Sequence, residues 1–243
     1  MQKSKLLLSY CVLSLAIVSC NSGGSNSDTP VITPSHDITI EMFLNKLEKA
    51  SSKYLFEQNY SGVGKLENAW EETDANGKKV YMKFFQGVVY RGDGRNLSTI
   101  CNSGGFKSKN NLTIKQNLYE AYGMGTDNNG NISAGATGQS GVSTAKAFMD
   151  SVYYSNGQVY VIDSQNLLSF DMSTISIQYK GIDETGGEVN ILDIPCSSII
   201  GYYNVDQADL NSLGNINTQR KIKSTFTVNP QYKINKDLYN FMK

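Results

Sequence analysis

From residue 66 onward the chain is written in short alternating runs closed by turn residues, and this period-two pattern constrains its fold most. Leu66–Thr73 and Lys78–Phe85 flank Asp74-Ala75-Asn76-Gly77, whose Asn-Gly favours positive φ. With all four residues as the loop, Leu66 pairs with Phe85, Trp70 with Tyr81 and Glu72 with Lys79, a register that follows the buried face. Val152–Ser155, Asn156-Gly157 and Gln158–Ile162 read as a hairpin with a two-residue turn. That pairing puts Val152, Tyr154, Val159 and Val161 on a core face and sets Tyr153 opposite Tyr160 on the other. Thr174–Lys180, Val189–Ile194 and Ser224–Asn229 continue the strand pattern.

One early segment has a different period. Ile40, Phe43, Leu44, Leu47, Tyr54 and Leu55 recur at three-to-four spacing, which predicts an amphipathic helix. Thr39 is its expected N-cap, with Ile38 and Phe43 as a hydrophobic staple. Asp237–Met242 is expected to form a last helical turn. An N-terminal helix followed by many hairpin-linked strands predicts an α+β fold, mostly antiparallel, in a sandwich or partly closed barrel.

The first twenty residues follow other rules. Lys3 and Lys5 precede an almost uninterrupted apolar run, Leu6–Val18, and Ser19 leads into Cys20. The run is too short for a spanning helix of ~20 apolar residues and reads as an export signal. Ile17-Val18-Ser19-Cys20 resembles the lipobox of bacterial lipoproteins. The resemblance implies that residues 1–19 are removed and that Cys20 carries diacylglycerol and a further acyl chain such as palmitate. It implies attachment to a membrane through that lipid, and Asn21 after the cysteine favours the outer membrane by analogy. Residues 20–37, rich in Ser, Gly, Asn, Thr and Pro, read as a flexible tether. Residues 38–243 are left as one β-rich globular domain.

Charge narrows the partners. Lys and Arg total 22 against 22 Asp and Glu; loss of Lys3 and Lys5 with the signal would leave a slight acidic excess. A nucleic-acid partner wants a basic excess, so none is expected. Of four cysteines, Cys11 would leave with the signal and Cys20 would be acylated. Cys101 and Cys196 remain, and an even pair in an oxidising compartment suggests a disulfide. Two separate buried thiols are the alternative. No C-x-x-C spacing or neighbouring histidine supports a metal site, and no cofactor motif is present.

Catalytic motifs are scarce. His36 is the one histidine and lies at the end of the tether. Ser143-Thr144-Ala145-Lys146 matches S-x-x-K, but the companion motifs of the serine penicillin-binding fold are missing. Ser143 therefore reads as an N-cap for a short helix through Phe148. Arg91-Gly92-Asp93 reads as a turn with Gly94. Asp127–Asn131 falls out of register with a calcium loop, and the glycine-rich stretch Gly123–Gly141 reads as a loop. Glu67, Glu71 and Glu72 are the densest acids and suit a solvated sheet face.

These features predict no catalytic residue and a non-catalytic binding or structural module of the bacterial envelope. Its partner would be an envelope protein, a glycan or an apolar ligand, met by Tyr153 and Tyr160. The alternatives are a carboxylate-dependent hydrolase of envelope glycans and a lipocalin-like carrier.

Overall fold

A computed structural model describes residues 38–51, 55–57, 62–73, 79–108, 141–183 and 185–242. The signal segment, Cys20, the tether, His36 and the stretch from 123 to 140 lie outside the described residues.

Helix α1, Ile40–Ser51, covers the predicted period from Ile40 to Leu47, while Leu55 lies in a turn and Tyr54 outside the described residues; Thr39 Oγ1 accepts from Met42 N at 3.2 Å. Its buried residues, Phe43 and Leu47, face the C-terminal region. The Phe43 ring lies 5.3 Å from that of Tyr232 and 6.4 Å from that of Tyr239. Phe43 is wholly buried, and truncating such a side chain costs about 3–5 kcal/mol.

Strand β1, Gly64–Thr73, pairs with the long β2, Lys79–Asp93. Leu66 opposes Phe85, as the four-residue loop requires, but the register shifts between Asn68 and Glu71. Beyond that bulge Glu72 faces Val80 and Thr73 faces Lys79, so the expected Glu72–Lys79 pair is replaced by Lys79–Glu71 at 2.6 Å. An inserted residue swaps which side chains share a face.

The remaining elements are helix α2, Leu97–Asn102, β3, Phe106–Lys107, β4, Val142–Ala145, helix α3, Phe148–Val152, β5, Gln158–Asp163, and β6, Ser169–Asp171. Helix α4, Met172–Lys180, β7, Glu188–Ile191, β8, Asp193–Ile194, a 3-10 turn at Cys196–Ser198 and β9, Ile199–Asn204, follow. Helices α5, Gln207–Leu210, and α6, Ile216–Ser224, lead to β10, Thr227–Val228, and helix α7, Lys236–Phe241. Every paired strand among the described residues is antiparallel, so the α+β, mostly antiparallel reading holds.

The main sheet runs β10-β9-β5-β2-β4-β7-β6, and β6 returns to pair with β2. Phe84 opposes Phe170 and Tyr90 opposes Ala145, so β2, β4, β7 and β6 close a partial ring. Alternation on β2 and β5 feeds two cores. Val88, Tyr90, Val159 and Val161 pack with α1, α3 and the C-terminal elements. Val89, Tyr160 and Ile162 pack with Ile100, Phe106, Val189 and Ile194 on the other face. Among the described residues, packed side chains thus cover both faces of these strands.

Two predicted strands do not form. Val152–Ser155 is not the first arm of a hairpin: α3 ends at Val152, and Tyr154 is 79% exposed rather than core. Thr174–Lys180 lies in α4, where Asp171 Oδ2 accepts from Thr174 N and Gly181 closes the helix at φ 77°. An N-cap carboxylate and a left-handed C-terminal glycine favour helix over the alternating pattern between them. No helix among the described residues is long and apolar enough to cross a membrane.

Candidate functional site

Three strands of the partial ring bring together residues that the sequence keeps far apart. Arg91 stands near the end of β2, Ser143 on β4 and Glu188 at the start of β7. β4 pairs with both neighbours, Tyr90 opposite Ala145 and Ala145 opposite Glu188.

Arg91 is held from several sides. Its Nη1 donates to the Ser143 carbonyl at 2.6 Å and its Nη2 to Asp93 Oδ2 at 3.4 Å. Its guanidinium lies 5.2 Å from the centre of the Phe106 ring. The Nε is buried and has no hydrogen-bond partner among the described residues. Burial pulls the Arg91 pKa down, and the Asp93 carboxylate works against that fall.

Asp93 is shared with a second guanidinium. Arg95 donates from Nε to Asp93 Oδ1 at 2.9 Å and from Nη2 to Oδ2 at 2.8 Å. Burial raises the Asp93 pKa, but the hydrogen bonds from Arg95 outweigh it and the net shift is downward. Arg95 also lies 5.6 Å from the Phe106 ring. One carboxylate and one aromatic face therefore fix two cations side by side.

Glu188 lies beyond β4 from Arg91 and joins the cluster only through Ser143. Burial pushes its pKa above the ordinary carboxylate value, and the Ser143 hydroxyl partly offsets the rise by hydrogen bonding to it. Ser143 thus serves both partners, the guanidinium through its carbonyl and the carboxylate through its hydroxyl. It is an exposed strand residue rather than the expected N-cap, because the helix that follows starts only at Phe148.

Tyr160 is fully buried and packs beside this cluster on the sheet face it shares with Arg91. Its ring meets Phe106 edge-on at 5.2 Å, and its hydroxyl donates to the Arg95 carbonyl at 2.5 Å. Across the sheet it opposes Arg91 and Tyr202, not Tyr153. Tyr153 is 60% exposed in the turn after α3. The structure therefore separates the two tyrosines that the hairpin reading places together.

Cys101 and Cys196 form a disulfide with Cα atoms 5.0 Å apart. It ties α2 to the 3-10 turn, next to the two-residue pairing of β3 with β8 in which Phe106 opposes Ile194. Glu67 is exposed and pairs with Lys65. Glu71 pairs with Lys79 on the surface, so neither belongs to the cluster. Among the described residues no group of three or more His, Cys, Asp or Glu side chains is placed to hold a metal ion.

Sequence reasoning passed over Arg91, Glu188, Asp93 and Arg95 as site residues. The available signal was the uninterrupted apolar run Val88–Tyr90 leading straight into Arg91. A strand of that kind continues into the charged residues and places them at its C-terminal end.

No protein-family model and no curated protein matches the chain. Among solved structures, the Scabin toxin from Streptomyces scabies in complex with NADH is similar at 19% identity. That match covers 62% of this chain and 78% of the toxin with a TM-score of 0.39. A guanine-specific ADP-ribosyltransferase is similar at 21% identity, over 63% of this chain and 82% of its own, with a TM-score of 0.37. Superposition this loose assigns neither fold nor activity to the chain. These neighbours are nonetheless a toxin and a transferase rather than binding modules. The expectation of a non-catalytic envelope module, with its glycan-hydrolase and carrier alternatives, is corrected accordingly and not retained.

Proposed function

We propose that the chain is an enzyme whose Arg91–Ser143–Glu188 site binds a nicotinamide dinucleotide and transfers its ADP-ribosyl group. The carrying observation is the bond from the Arg91 guanidinium on β2 to the Ser143 carbonyl on β4, with the half-buried Glu188 on β7, the next strand of the sheet. The substrate class is that of the structural neighbours; its support in this chain is the donor set itself.

A planar guanidinium suits phosphate oxygens because its N–H groups match them in pairs. Arg91 is held in place by Ser143 and Asp93, and Arg95, half exposed, adds a second cation beside it. Scission of a glycosidic bond passes through an oxocarbenium-like state, which a fixed carboxylate stabilises. In this reading Glu188 faces the ribose and accepts from its 2′-hydroxyl. The bond between ribose C1′ and the nicotinamide nitrogen breaks, and its electron pair goes to that nitrogen, which leaves as a neutral ring. The acceptor nucleophile, or water, forms the new bond to C1′ and releases its proton to solvent.

The leaving group needs no proton, so this chemistry requires no histidine acid. That fits a chain whose one histidine is His36. We extend the proposal to place. The apolar run ending at Cys20 supports export and a diacylglycerol-type anchor at a bacterial membrane, the outer membrane by the residue that follows. The Cys101–Cys196 bond suits an oxidising compartment.

Isothermal titration of the purified chain with NAD tests the site. The wild type is expected to bind and Arg91→Lys to bind at least tenfold more weakly, since charge-assisted hydrogen bonds contribute about 1.5–3 kcal/mol each. Equal binding by both proteins, or none by the wild type, contradicts the proposal.

A further inference from the structure

An ion pair that the site does not use lies beside the segment leading into Glu188. Lys146 is 9% exposed and Asp171 1%. The Lys146 ammonium contacts Asp171 Oδ1 directly and lies 5.6 Å from the centre of the Phe85 ring. Burying two charges gains little stability over well-packed apolar residues of similar volume. A buried pair therefore calls for an account of what it holds.

Both halves of Lys146 reach the same segment. Its main-chain N–H donates to the Gly187 carbonyl at 3.1 Å, one residue before Glu188. Its ammonium bonds Ser173 Oγ at 3.5 Å, and Ser173 Oγ in turn lies 3.4 Å from Thr185 Oγ1. Thr185 is fixed to Asp183, whose Oδ1 accepts from Thr185 N at 2.9 Å and from Thr185 Oγ1 at 2.6 Å. Asp171 caps α4 through Thr174 N at 3.1 Å, so the pair also anchors the helix from which this segment departs.

The segment has little stiffness of its own. Gly181, Gly186 and Gly187 all have positive φ, and glycine gives up more conformational freedom than other residues on ordering. What holds Gly187 in place sets where Glu188 enters β7.

We propose that Lys146 is a positioning residue for Glu188: through Asp171, Ser173 and the Gly187 carbonyl it fixes the turn that aims the carboxylate. This rests on the transferase reading above. Lys146 makes no contact with Arg91 or Glu188 among the described residues, so the effect of its side chain passes through Ser173 and Thr185 to the turn before Glu188.

The test compares wild type, Lys146→Met, Lys146→Arg and Asp171→Asn in the full chain. With NAD as substrate, Lys146→Met and Asp171→Asn are expected to lower kcat at least tenfold while KM stays within threefold, and Lys146→Arg is expected to recover most of the loss. In parallel, amide hydrogen exchange at residues 185–188 is expected to quicken in Lys146→Met while β5 stays protected. A wild type that turns over NAD alongside an equally active Lys146→Met overturns the positioning role alone. A wild type without turnover overturns the transferase reading, and the exchange data then decide whether Lys146 holds Glu188: unchanged exchange overturns that too. Loss of protection throughout β5 would mark Lys146 as a general packing residue and also overturn the inference.

Discussion

The Arg91 guanidinium donates a 2.6 Å hydrogen bond to the main-chain carbonyl of Ser143. Arg91 follows the apolar run Val88–Tyr90 within β2 and Ser143 comes more than fifty residues later, so only the pairing of β2 with β4 explains their contact. Because the acceptor is a carbonyl, substitution of the Ser143 side chain leaves that bond in place. The hydroxyl is then free to be tested for its effect on Glu188 alone.

Ser143→Ala is accordingly expected to act on pH dependence. The hydroxyl favours the charged carboxylate of Glu188, against burial, which favours the neutral form. Without it the Glu188 pKa rises further, and the acid limb of the kcat/KM profile shifts to higher pH. Activity should fall more at pH 6 than at pH 8. A limb that stays in place would separate Ser143 from Glu188.

Asp163 offers a test of stability remote from the site. It is 3% exposed and accepts from the Tyr232 hydroxyl at 3.1 Å. Burial pushes its pKa up to about 7, despite hydrogen bonds from Gln165, Tyr232 and Asn235. A carboxyl with a raised folded-state pKa favours folding while protonated, and that contribution fades as pH climbs from the unfolded value through about 7. The shift corresponds to roughly 4 kcal/mol. Asp163→Asn cannot ionise, so in urea titrations its stability relative to wild type should improve from pH 5 to pH 8. A constant difference would contradict this.

The disulfide closes a separation of 95 residues. Removing a bond of that span by Cys101→Ser with Cys196→Ser should cost about 2–5 kcal/mol, read as a lower urea midpoint. The same change frees the loop that carries Phe106, so dinucleotide binding should weaken with it. A midpoint and an affinity both equal to wild type would show the bond to be dispensable.

Cys20→Ala tests the anchor. Labelled palmitate should enter the wild type and not the variant, and the variant should leave the membrane fraction. Equal labelling would place the lipid elsewhere or nowhere.

Much of the fold was legible because local physics dictates it. Helix α1 follows from its apolar stripe and Thr39, the β1–β2 register near Leu66 and Phe85 from the apolar alternation, and α7 from its short apolar pattern. Thr174–Lys180 misled because Thr, Ile, Ser and Ile alternate like a strand, while the deciding groups, Asp171 and Gly181, stand just outside it. The Asn156-Gly157 turn suggested a hairpin, yet the chain before it coils into α3 to bury Phe148 and Val152 against Tyr90. The disulfide could be anticipated from the cysteine count. The site could not, because Arg91 and Glu188 carry no local motif, the S-x-x-K match at Ser143 points to other chemistry, and the three are linked only through strand pairings of long range. The catalytic reading of Ser143 was dismissed with its S-x-x-K frame, although Ser143 and Lys146 both bear on Glu188 for other reasons.

Release of nicotinamide from NAD by the purified full chain is the most direct test of the central claim, compared between wild type and Glu188→Gln. The wild type should release nicotinamide, and the variant should do so about 10²- to 10³-fold more slowly while remaining folded. A wild type that releases none, or a Glu188→Gln protein as fast as wild type, would contradict the account.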